Sequence, residues 1–339
     1  MAPPRLAIDV MSGDYGSSVI IEGIIEAKRM CGEPFTVYLC GDSQIIRETF
    51  KKKGIFEKEF GNGLVIEHCG DIVTAHDTPS RLWRKKSHSS IVRCISLQEE
   101  GSVDASISAG DTGMLMGAAI FILGRIRGVH RPALAAFVPT TLKRASLLLD
   151  VGANLNCRVG HLVTFGIMGY SYTKEFFDMP SPRVALLNVG EEPYKGTKTI
   201  FEADKELARS CKGYIGFIEG SGVLQGEADV IVCDGFVGNV LLKAYESFHI
   251  LAEKVIGRDG LSVDHIKESM EILNPENYGA VPLLGIQGTV LKAHGRSSSK
   301  AIANAVLTAL TAIKKNFRAV NAQNSILSQL KGFLSGDTK

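Results

Sequence analysis

The sequence lacks both a membrane-length apolar run and an excess of charge of either sign. Its longest apolar run, residues 114–124, covers about half of the roughly 20 residues that a membrane-spanning helix needs. Lysine and arginine number 38 against 36 aspartates and glutamates, which excludes a strongly basic nucleic-acid-binding protein and a highly charged disordered chain. Asp9 interrupts the N-terminus before a signal-type apolar segment forms, so we expect a cytoplasmic protein.

Cysteine spacing typical of metal-binding or redox motifs is also lacking. The seven cysteines are scattered, and none stands in a C-x-x-C pair. We therefore interpret them as reduced, mostly buried thiols, although Cys157 and Cys233 adjoin predicted strand ends and a covalent nucleophile there is an alternative. A metal site is another alternative, but its candidates match no standard ligand spacing. These candidates are His68, Cys69, Asp71, His76 and Asp77.

Short apolar runs rich in β-formers alternate with longer segments of helical period. This alternation predicts an α/β fold, with a largely parallel sheet flanked by helices. Strands are predicted at residues 6–10, 35–40, 64–67, 105–108, 133–138, 146–150, 184–188, 214–218, 230–233 and 289–293. Helices are predicted at residues 17–30, 43–52, 80–100, 112–125, 161–177, 198–212, 237–255 and 298–315. Since no linker or repeat interrupts the pattern, we expect a single catalytic domain over residues 1–339, with a candidate helical dimerisation region at about 237–280.

Four of the predicted strands end in the same way, with aspartate, asparagine, serine and glycine between the apolar run and the next helix. Because the carboxyl ends of parallel strands meet at one edge of a sheet, where ligands bind, these turns predict one shared site. Its candidate residues are Asp9, Gly13, Asp14, Ser108, Gly110, Asp111, Thr112, Gly113, Asp150, Asn154, Asp234, Gly235, Gly238 and Asn239.

Anion binding is the chemistry that these turns favour. Glycine lets backbone N–H groups approach a ligand, and the helix that follows adds its positive N-terminal end. Residues 108–113 and 234–239 match neither the P-loop pattern nor G-x-G-x-x-G, so nucleotide binding has no support. The alternative is that the glycines only permit tight turns and helix caps.

Basic residues near these turns are candidates for balancing the charge of an anion. Arg131 precedes a predicted strand, and Lys243 follows the last turn on a helix with an apolar face, where a solvated lysine is the alternative. His294 ends a predicted strand, where it acts as a proton or oxyanion donor or is fixed by a backbone hydrogen bond. A basic helix surrounds Trp83 and is a candidate docking surface for an acidic protein, or simply a solvated face. Its cations are Arg81, Arg84, Lys85, Lys86 and Arg93.

Seven motifs, taken together and in order, resemble one known family. They are I-D-V-M-S-G-D (8–14), S-A-G-D-T-G-M-L-M (108–116), G-R-I-R-G-V-H-R-P-A-L-A (124–135), L-L-D-V-G-A-N-L-N-C (148–157), L-L-N-V-G-E-E-P-Y-K-G (186–196), V-C-D-G-F-V-G-N-V-L-L-K (232–243) and K-A-H-G-R-S-S (292–298). The series resembles the bacterial phosphate acyltransferases of phospholipid synthesis, the PlsX family, from about residue 6 to about residue 307. Such a series is far more specific than any single glycine turn.

The resemblance implies the isocitrate/isopropylmalate-dehydrogenase-like α/β fold and transfer of a fatty acyl group from acyl-acyl-carrier protein to inorganic phosphate. It also implies a homodimer without nicotinamide, metal or tightly bound cofactor, whose product passes to a membrane glycerol-3-phosphate acyltransferase. Two departures stand out. Asp111 replaces the usual asparagine, which puts a carboxylate beside the expected anion, and residues 250–275 form a shorter stretch than in typical relatives, so at most peripheral membrane contact is expected.

Phosphorolysis of a thioester needs little acid–base help, because phosphate is ionised at neutral pH and a thiolate leaves readily. We expect direct transfer without an acyl-enzyme, with backbone N–H groups of residues 110–113 and 235–239 holding the phosphate. We assign catalytic roles to Lys243, His294, Asp234 and Asn239, and substrate binding to Arg131 and the other turn residues. The alternatives are a phosphotransacylase that uses acyl-coenzyme A, a metal- and NAD-dependent hydroxy-acid dehydrogenase of the same fold, and a non-catalytic scaffold that binds acyl-carrier protein.

Overall fold

The structure is a computed structural model that describes residues 2–258, 275–315, 326 and 330, except for residues 56, 62, 75, 143 and 193. Contacts divide the chain into two compact units, Met1–Arg125 with Glu276–Ala319 (unit 1) and Ile126–Pro275 with Val320–Lys339 (unit 2). The single catalytic domain over residues 1–339 stays a prediction. Much of the expected dimerisation region, residues 259–274, lies outside the described residues.

The elements alternate as the sequence predicts, so the α/β class is confirmed. The strands are β1 (Arg5–Asp9), β2 (Thr36–Gly41), β3 (Leu64–His68), β4 (Ala105–Ser108), β5 (Ala133–Pro139), β6 (Ala145–Leu149), β7 (Val184–Leu187), β8 (Tyr214–Ile218), β9 (Val230–Val232), β10 (Ala280–Leu284) and β11 (Val290–Ala293). The helices are α1 (Gly16–Met30), α2 (Ser43–Lys53), α3 (Pro79–Lys85), α4 (Ser90–Glu99), α5 (Thr112–Ile122), α6 (Val159–Phe176), α7 (Lys198–Ser210), α8 (Gly220–Gln225), α9 (Gly235–Arg258) and α10 (Ser299–Lys314).

The described strands of unit 1 lie in the order β3-β2-β1-β4-β11-β10, and each pair is parallel except β10 with β11. Asp9 pairs with Ser108 and Ser108 pairs with Lys292, so the carboxyl ends of β1, β4 and β11 meet at one edge. Helices α1 and α10 pack closely against each other, since a Cβ at Gly23 would lie only 2.5 Å from the carbonyl oxygen of Ser299. The sheet therefore brings three polar strand ends side by side.

The described strands of unit 2 lie in the order β5-β6-β9-β7-β8, with β5 antiparallel to β6 and the other pairs parallel. The long helix α6 is buried along most of its length and approaches β9 at Gly169, where a Cβ would lie 2.4 Å from Val230 Cγ1. Val232 pairs with both Leu149 and Leu186, so the loops after β6, β9 and β7 begin at the same edge.

The prediction of one helix over residues 80–100 is wrong, because α3 ends at Lys85 and α4 begins only at Ser90. The break has a local cause. Ser89 forms a β-bridge with Asp71, the Asp71 carboxylate accepts a hydrogen bond from the His88 amide at 3.0 Å, and Ser89 Oγ donates to the Lys86 carbonyl. Serine and histidine are weak helix formers, so these competing hydrogen bonds stop the helix.

Strand β10 was not predicted, and its sequence explains why. Pro282 lies within the strand and pairs with Leu291, although proline in an apolar run argues against a strand. The short helix α8 was also not predicted. None of the helices in the described part of the chain is both long and apolar enough to cross a bilayer.

Candidate active site

Asp9 and Ser108 form a buried pair at the ends of β1 and β4. Asp9 is only 1% exposed, and its Oδ2 accepts a hydrogen bond of 2.7 Å from Ser108 Oγ. Asp9 Oδ1 accepts from the Met11 amide at 3.2 Å, while Ser108 Oγ itself accepts from the Gly110 amide at 3.0 Å. The pair therefore fixes the backbone of both turns that follow the two strands.

The turn at residues 109–113 presents amide groups at the start of α5. The Ala109 amide donates to Ser12 Oγ at 3.2 Å, but among the described residues no acceptor meets the amides of Asp111, Thr112 and Gly113. Three consecutive N–H groups at a helix N-terminus form a favourable site for an anion. A Cβ at Gly110 would lie 3.2 Å from both Ser108 Oγ and Ser12 Cβ, so glycine suits this close approach.

Asp111 is the N-cap of α5, since its Oδ1 accepts a hydrogen bond of 2.9 Å from the Met114 amide. One carboxylate oxygen is thus directed at the helix amides. An asparagine would supply the same acceptor oxygen without the charge, because both residue types are good N-caps. The departure from the family pattern therefore keeps the cap and adds a negative charge beside the three open amides.

Gly13, Asp14 and His294 belong to a second group of contacts in unit 1. The Asp14 amide donates to the Gly295 carbonyl at 2.7 Å, and Gly13 has a φ of +92°, which favours glycine. Asp14 Oδ2 lies 3.4 Å from Arg296 Nε in an exposed ion pair. His294 Nδ1 accepts from the Arg296 amide at 3.0 Å, so the neutral ring carries its proton on Nε2. The backbone contact orients His294, and its donor role stays a prediction.

Lys292 is a candidate site residue that the sequence did not suggest. It is partly buried on β11, in register with Ser108, and its ammonium donates to the carbonyls of Ala109, at 3.5 Å, and Ala293. These contacts place a cation beside the residue that begins the amide-rich turn. The only signal in the sequence was a charged residue at the end of an otherwise apolar strand.

Asp150 is the centre of the corresponding turn in unit 2. Its carboxylate is fully buried and accepts four hydrogen bonds, from the amides of Leu134, Ala153 and Asn154 and from Asn154 Nδ2. Burial raises the pKa of Asp150, and the four donors oppose that rise. Asn154 Nδ2 also donates to the Pro132 carbonyl at 2.8 Å. Asp150 therefore organises the turn backbone.

Asp234 and Gly235 begin helix α9 against the Asp150 turn. The Gly235 amide donates to the Asn154 carbonyl at 2.8 Å, and Asp234 Oδ1 accepts from the Val237 amide at 2.8 Å. A Cβ at Gly238 would lie 1.9 Å from the Asp150 carbonyl oxygen, so only glycine fits there. Within the described chain, the Phe236 amide has no acceptor, which leaves it as the open donor of this turn.

Asn239, Lys243 and Arg131 also lie in unit 2. Asn239 Nδ2 donates to the Val151 carbonyl at 3.1 Å. Lys243 lies on an exposed part of α9, where its ammonium is 2.6 Å from Glu246 Oε2. Arg131 is exposed, and its charge acts on His161 at the start of α6. Burial first, and then the charges of Arg131, Arg158 and His130, lower the pKa of His161. The catalytic role of Lys243 and the shared site of the four turns stay predictions.

The basic cluster around Trp83 contains two cations that form ion pairs within the chain and three that are exposed. Lys86 Nζ pairs with Asp77 at 2.6 Å, and Arg93 bonds Glu67 at 2.7 Å and Glu100 at 2.6 Å. The remaining cations of the cluster are exposed: Arg81, Arg84 and Lys85. The Arg84 guanidinium lies 4.5 Å from the centre of the Trp83 ring, which itself stacks on Phe121. Any docking surface here is therefore the three exposed cations of α3.

The cysteine and metal alternatives gain no support from the contacts. Burial, with the charges of Asp150 and Asp234, raises the pKa of Cys157 to about 12, and burial also raises the pKa of Cys233 well above its usual value. A nucleophilic cysteine needs a lowered pKa. Of the metal candidates, His68 Nδ1 accepts from the Ser43 amide, and Asp77 bonds Thr74 and Lys86.

Comparisons with known proteins give consistent results. The family described as fatty acid synthesis protein matches residues 4–320. The phosphate acyltransferase of Thermoanaerobacter pseudethanolicus is 36% identical over 338 residues, which cover 96% of each chain. A phosphotransacetylase from Streptococcus pyogenes superimposes with a TM-score of 0.62 at 13% identity, over 92% of this chain and 94% of that one. The 4-hydroxythreonine-4-phosphate dehydrogenase of Klebsiella pneumoniae gives a TM-score of 0.55 at 12% identity, over 91% and 98%. The two structures show a shared fold, which confirms the dehydrogenase-like α/β architecture.

Proposed function

The chain belongs to the fatty acid synthesis protein family and is a phosphate acyltransferase, and from this premise we propose the donor and the roles of its residues. The acyl donor is acyl-acyl-carrier protein and the acceptor is inorganic phosphate. An oxygen of hydrogen phosphate attacks the thioester carbon, and the new C–O bond replaces the C–S bond. The leaving thiolate takes up, through water, the proton that the phosphate group gives up. The products are acyl phosphate and free carrier protein.

Phosphate binds at the start of α5, and the three open amides of residues 111–113 are the observation that carries this assignment. Lys292 adds a positive charge beside the turn, and the Asp9–Ser108 pair fixes the backbone that holds the amides. Charge-assisted hydrogen bonds of this kind are about twice as strong as neutral ones. Phosphate is thereby bound without a nucleotide motif and with its attacking oxygen oriented.

Phe236 of unit 2 offers another open amide, of the kind that stabilises the negative charge developing on a thioester carbonyl oxygen. Asp150 and Asn154 hold this amide in place, because the neighbouring Gly235 amide is bonded to Asn154. Removing a single well-aimed oxyanion donor typically costs about 3–4 kcal/mol of the barrier, whereas orienting both reactants supplies ~7–11 kcal/mol. Placement therefore dominates, and no acyl-enzyme forms.

The exposed cations of α3 dock the acidic carrier protein. Arg81, Arg84 and Lys85 are exposed on one short helix, and within the described residues no carboxylate forms an ion pair with them. Electrostatic complementarity of this kind raises association rates more than it raises affinity. A carrier that presents acidic side chains is the partner that fits.

Two further partners and a cellular location belong to the proposal. A second copy of this chain covers the exposed apolar face of α9 formed by Val240, Phe248 and Leu251, whose spacing puts them on one side of the helix. The acyl phosphate passes to a membrane glycerol-3-phosphate acyltransferase. The enzyme itself works in the cytoplasm with at most peripheral membrane contact.

The deciding experiment measures thiol release from acyl-carrier protein with and without inorganic phosphate. Thiol release that requires phosphate and yields stoichiometric acyl phosphate supports the proposal. Thiol release at the same rate without phosphate contradicts it. Acyl-coenzyme A serves as the comparison donor, because the fold shared with the phosphotransacetylase makes it the second candidate. A higher kcat/KM with acyl-coenzyme A would show that acyl-coenzyme A, and not acyl-carrier protein, is the donor.

A further inference from the structure

Four exposed apolar side chains follow the strand ends of unit 2, and no part of the site described above uses them. Leu155 is 60% exposed, Val189 78%, Tyr194 77% and Phe236 62%. Single exposed apolar residues are ordinary, whereas a group at one sheet edge indicates a binding surface. We call these four residues the apolar edge cluster.

Leu155 and Phe236 are neighbours through a backbone hydrogen bond. The Asn154 carbonyl accepts from the Gly235 amide at 2.8 Å, and each apolar residue directly follows one of these bonded residues. The buried side chains beneath them are polar, since Asp150 and Asn154 occupy the turn. The exposed side chains of Leu155 and Phe236 therefore do not cover a hydrophobic core.

Val189 and Tyr194 stand on a loop that Asn188 closes. Asn188 Nδ2 donates to the carbonyls of Gly190, at 2.9 Å, and Lys195, at 2.7 Å. Gly196 has a φ of +121°, and a Cβ there would lie 2.5 Å from Asn188 Oδ1, so the loop is tightly closed around the amide. The closed loop already fixes these side chains in solvent-exposed positions. A ligand that covers them therefore costs little further conformational entropy.

Strand pairing puts this loop next to the Phe236 turn. Leu186 of β7 pairs with Val232 of β9, so Asn188 is level with Asp234 on the neighbouring strand. Adjacent strands are about 4.8 Å apart, a distance that the side chains of a loop readily span. An ion pair between Glu192 and Lys195, 2.8 Å long, gives the loop a polar rim. An apolar centre with a polar rim is typical of a ligand surface.

We propose that the apolar edge cluster binds the fatty acyl chain of the donor, an inference that rests on the proposed function. The ligand follows from the reaction: the carbonyl group at the Phe236 amide carries an apolar chain, and the Phe236 ring is exposed on that same residue. The chain therefore leaves the carbonyl over Phe236 and meets the side chains of Leu155, Val189 and Tyr194. Each methylene fully buried there raises kcat/KM by up to about fourfold.

The test compares acyl thioesters of 4, about 8, about 12 and about 16 carbons at saturating phosphate, with the paired substitutions Leu155→Ser and Tyr194→Ser. We expect kcat/KM to rise with chain length in the unchanged protein and to rise much less steeply in the double variant. The 4-carbon donor and the KM for phosphate should change little. Ile72→Ser is the matched control, because Ile72 is 76% exposed in unit 1 and lies outside the cluster.

Three results would overturn the proposal. They are an unchanged chain-length dependence in the double variant, an equal loss with every donor, and a shift in sedimentation that shows the cluster to lie between copies of the chain. A failure of the proposed function looks different, since the unchanged protein would then form no acyl phosphate with any donor.

Discussion

Ser108 Oγ donates a hydrogen bond of 2.7 Å to Asp9 Oδ2, and both residues are almost wholly buried at the ends of adjacent parallel strands. Because this hydroxyl has a single proton, its lone pairs face the Gly110 amide, from which it accepts at 3.0 Å. A carboxylate thus sets the direction of a hydroxyl, and the hydroxyl sets the position of the amide-rich turn. The first consequence is that a small change at Ser108 should disturb phosphate binding.

Ser108→Ala should raise the KM for phosphate about tenfold while the KM for the acyl donor changes little. The substitution leaves the Gly110 amide without its acceptor and removes one donor from Asp9, which also costs about 1–3 kcal/mol of unfolding free energy. Steady-state kinetics and chemical denaturation measure the two effects.

Ser106→Ala is the matched control for that substitution. Ser106 is equally buried on β4 and donates to the Cys94 carbonyl at 2.9 Å, away from the turn. Ser106→Ala should lower stability by a similar amount and should not change the KM for phosphate. Equal kinetic effects at the two positions would contradict a specific role of the Asp9–Ser108 pair.

Lys292→Gln should weaken phosphate binding by about tenfold or more, because a positive charge beside an anion in a partly buried site is only weakly screened. Lys292→Arg should retain part of the affinity, since it keeps the charge. Lys52→Gln is the control: Lys52 is an exposed cation on α2 of the same unit. The measurement is the KM for phosphate at low and high salt, and a Lys292→Gln enzyme with an unaltered KM would remove Lys292 from the site.

Lys292 also shows where sequence reasoning stops. The apolar runs located β1 and β4, and the polar residues after them identified Asp9 and Ser108, because both signals are local. The pairing of Ser108 with Lys292 is a contact between residues far apart in the chain, and no local pattern carries it. The two turns of unit 2 were found in the same way as Asp9, but the donors that they leave open, such as the Phe236 amide, depend on the hydrogen bond between Gly235 and Asn154.

The basic region near Trp83 shows the opposite limit. Its charges were correctly identified, but helical periodicity joined them into one helix and treated all five cations alike. The contacts of Lys86 with Asp77 and of Arg93 with Glu67 are tertiary, and they leave the cations of α3 as the exposed ones. The net charge of a sequence segment therefore overstates the charge that is available to bind a partner, because some of its cations form ion pairs within the chain.

Asp111→Asn should lower the KM for phosphate a few-fold without loss of stability. Asparagine keeps the acceptor for the Met114 amide, and the change removes a negative charge beside the anion. Asp111→Ala separates the two effects, because it removes both the charge and the cap and should cost about 1 kcal/mol of stability. If Asp111→Asn raises the KM for phosphate instead, then the carboxylate supports the turn in a way that an amide cannot.

Charge reversal at Arg84 and Lys85 should slow turnover of acyl-carrier protein steeply at low salt and little at high salt. At high salt, screening removes the long-range attraction in the unchanged protein and in the variant alike. A small acyl-pantetheine donor should be unaffected. Lys198→Glu with Lys212→Glu is the matched control, since both lysines are exposed in unit 2. The same salt dependence in the two double variants would mean that the carrier responds only to overall charge.

Cys157 should resist alkylation near neutral pH, because its pKa of about 12 leaves roughly one thiolate in ten thousand at pH 8. Labelling with iodoacetamide should rise about tenfold for each unit of pH, as followed by mass spectrometry of the peptide, and unfolding in urea should make it fast at pH 8. Cys157→Ser should keep most of the acyltransferase activity, since a neutral thiol beside Asp150 and Asp234 is a poor nucleophile. An acyl group trapped on Cys157 or Cys233 during turnover would contradict direct transfer, whereas acyl phosphate formed in a single step supports it.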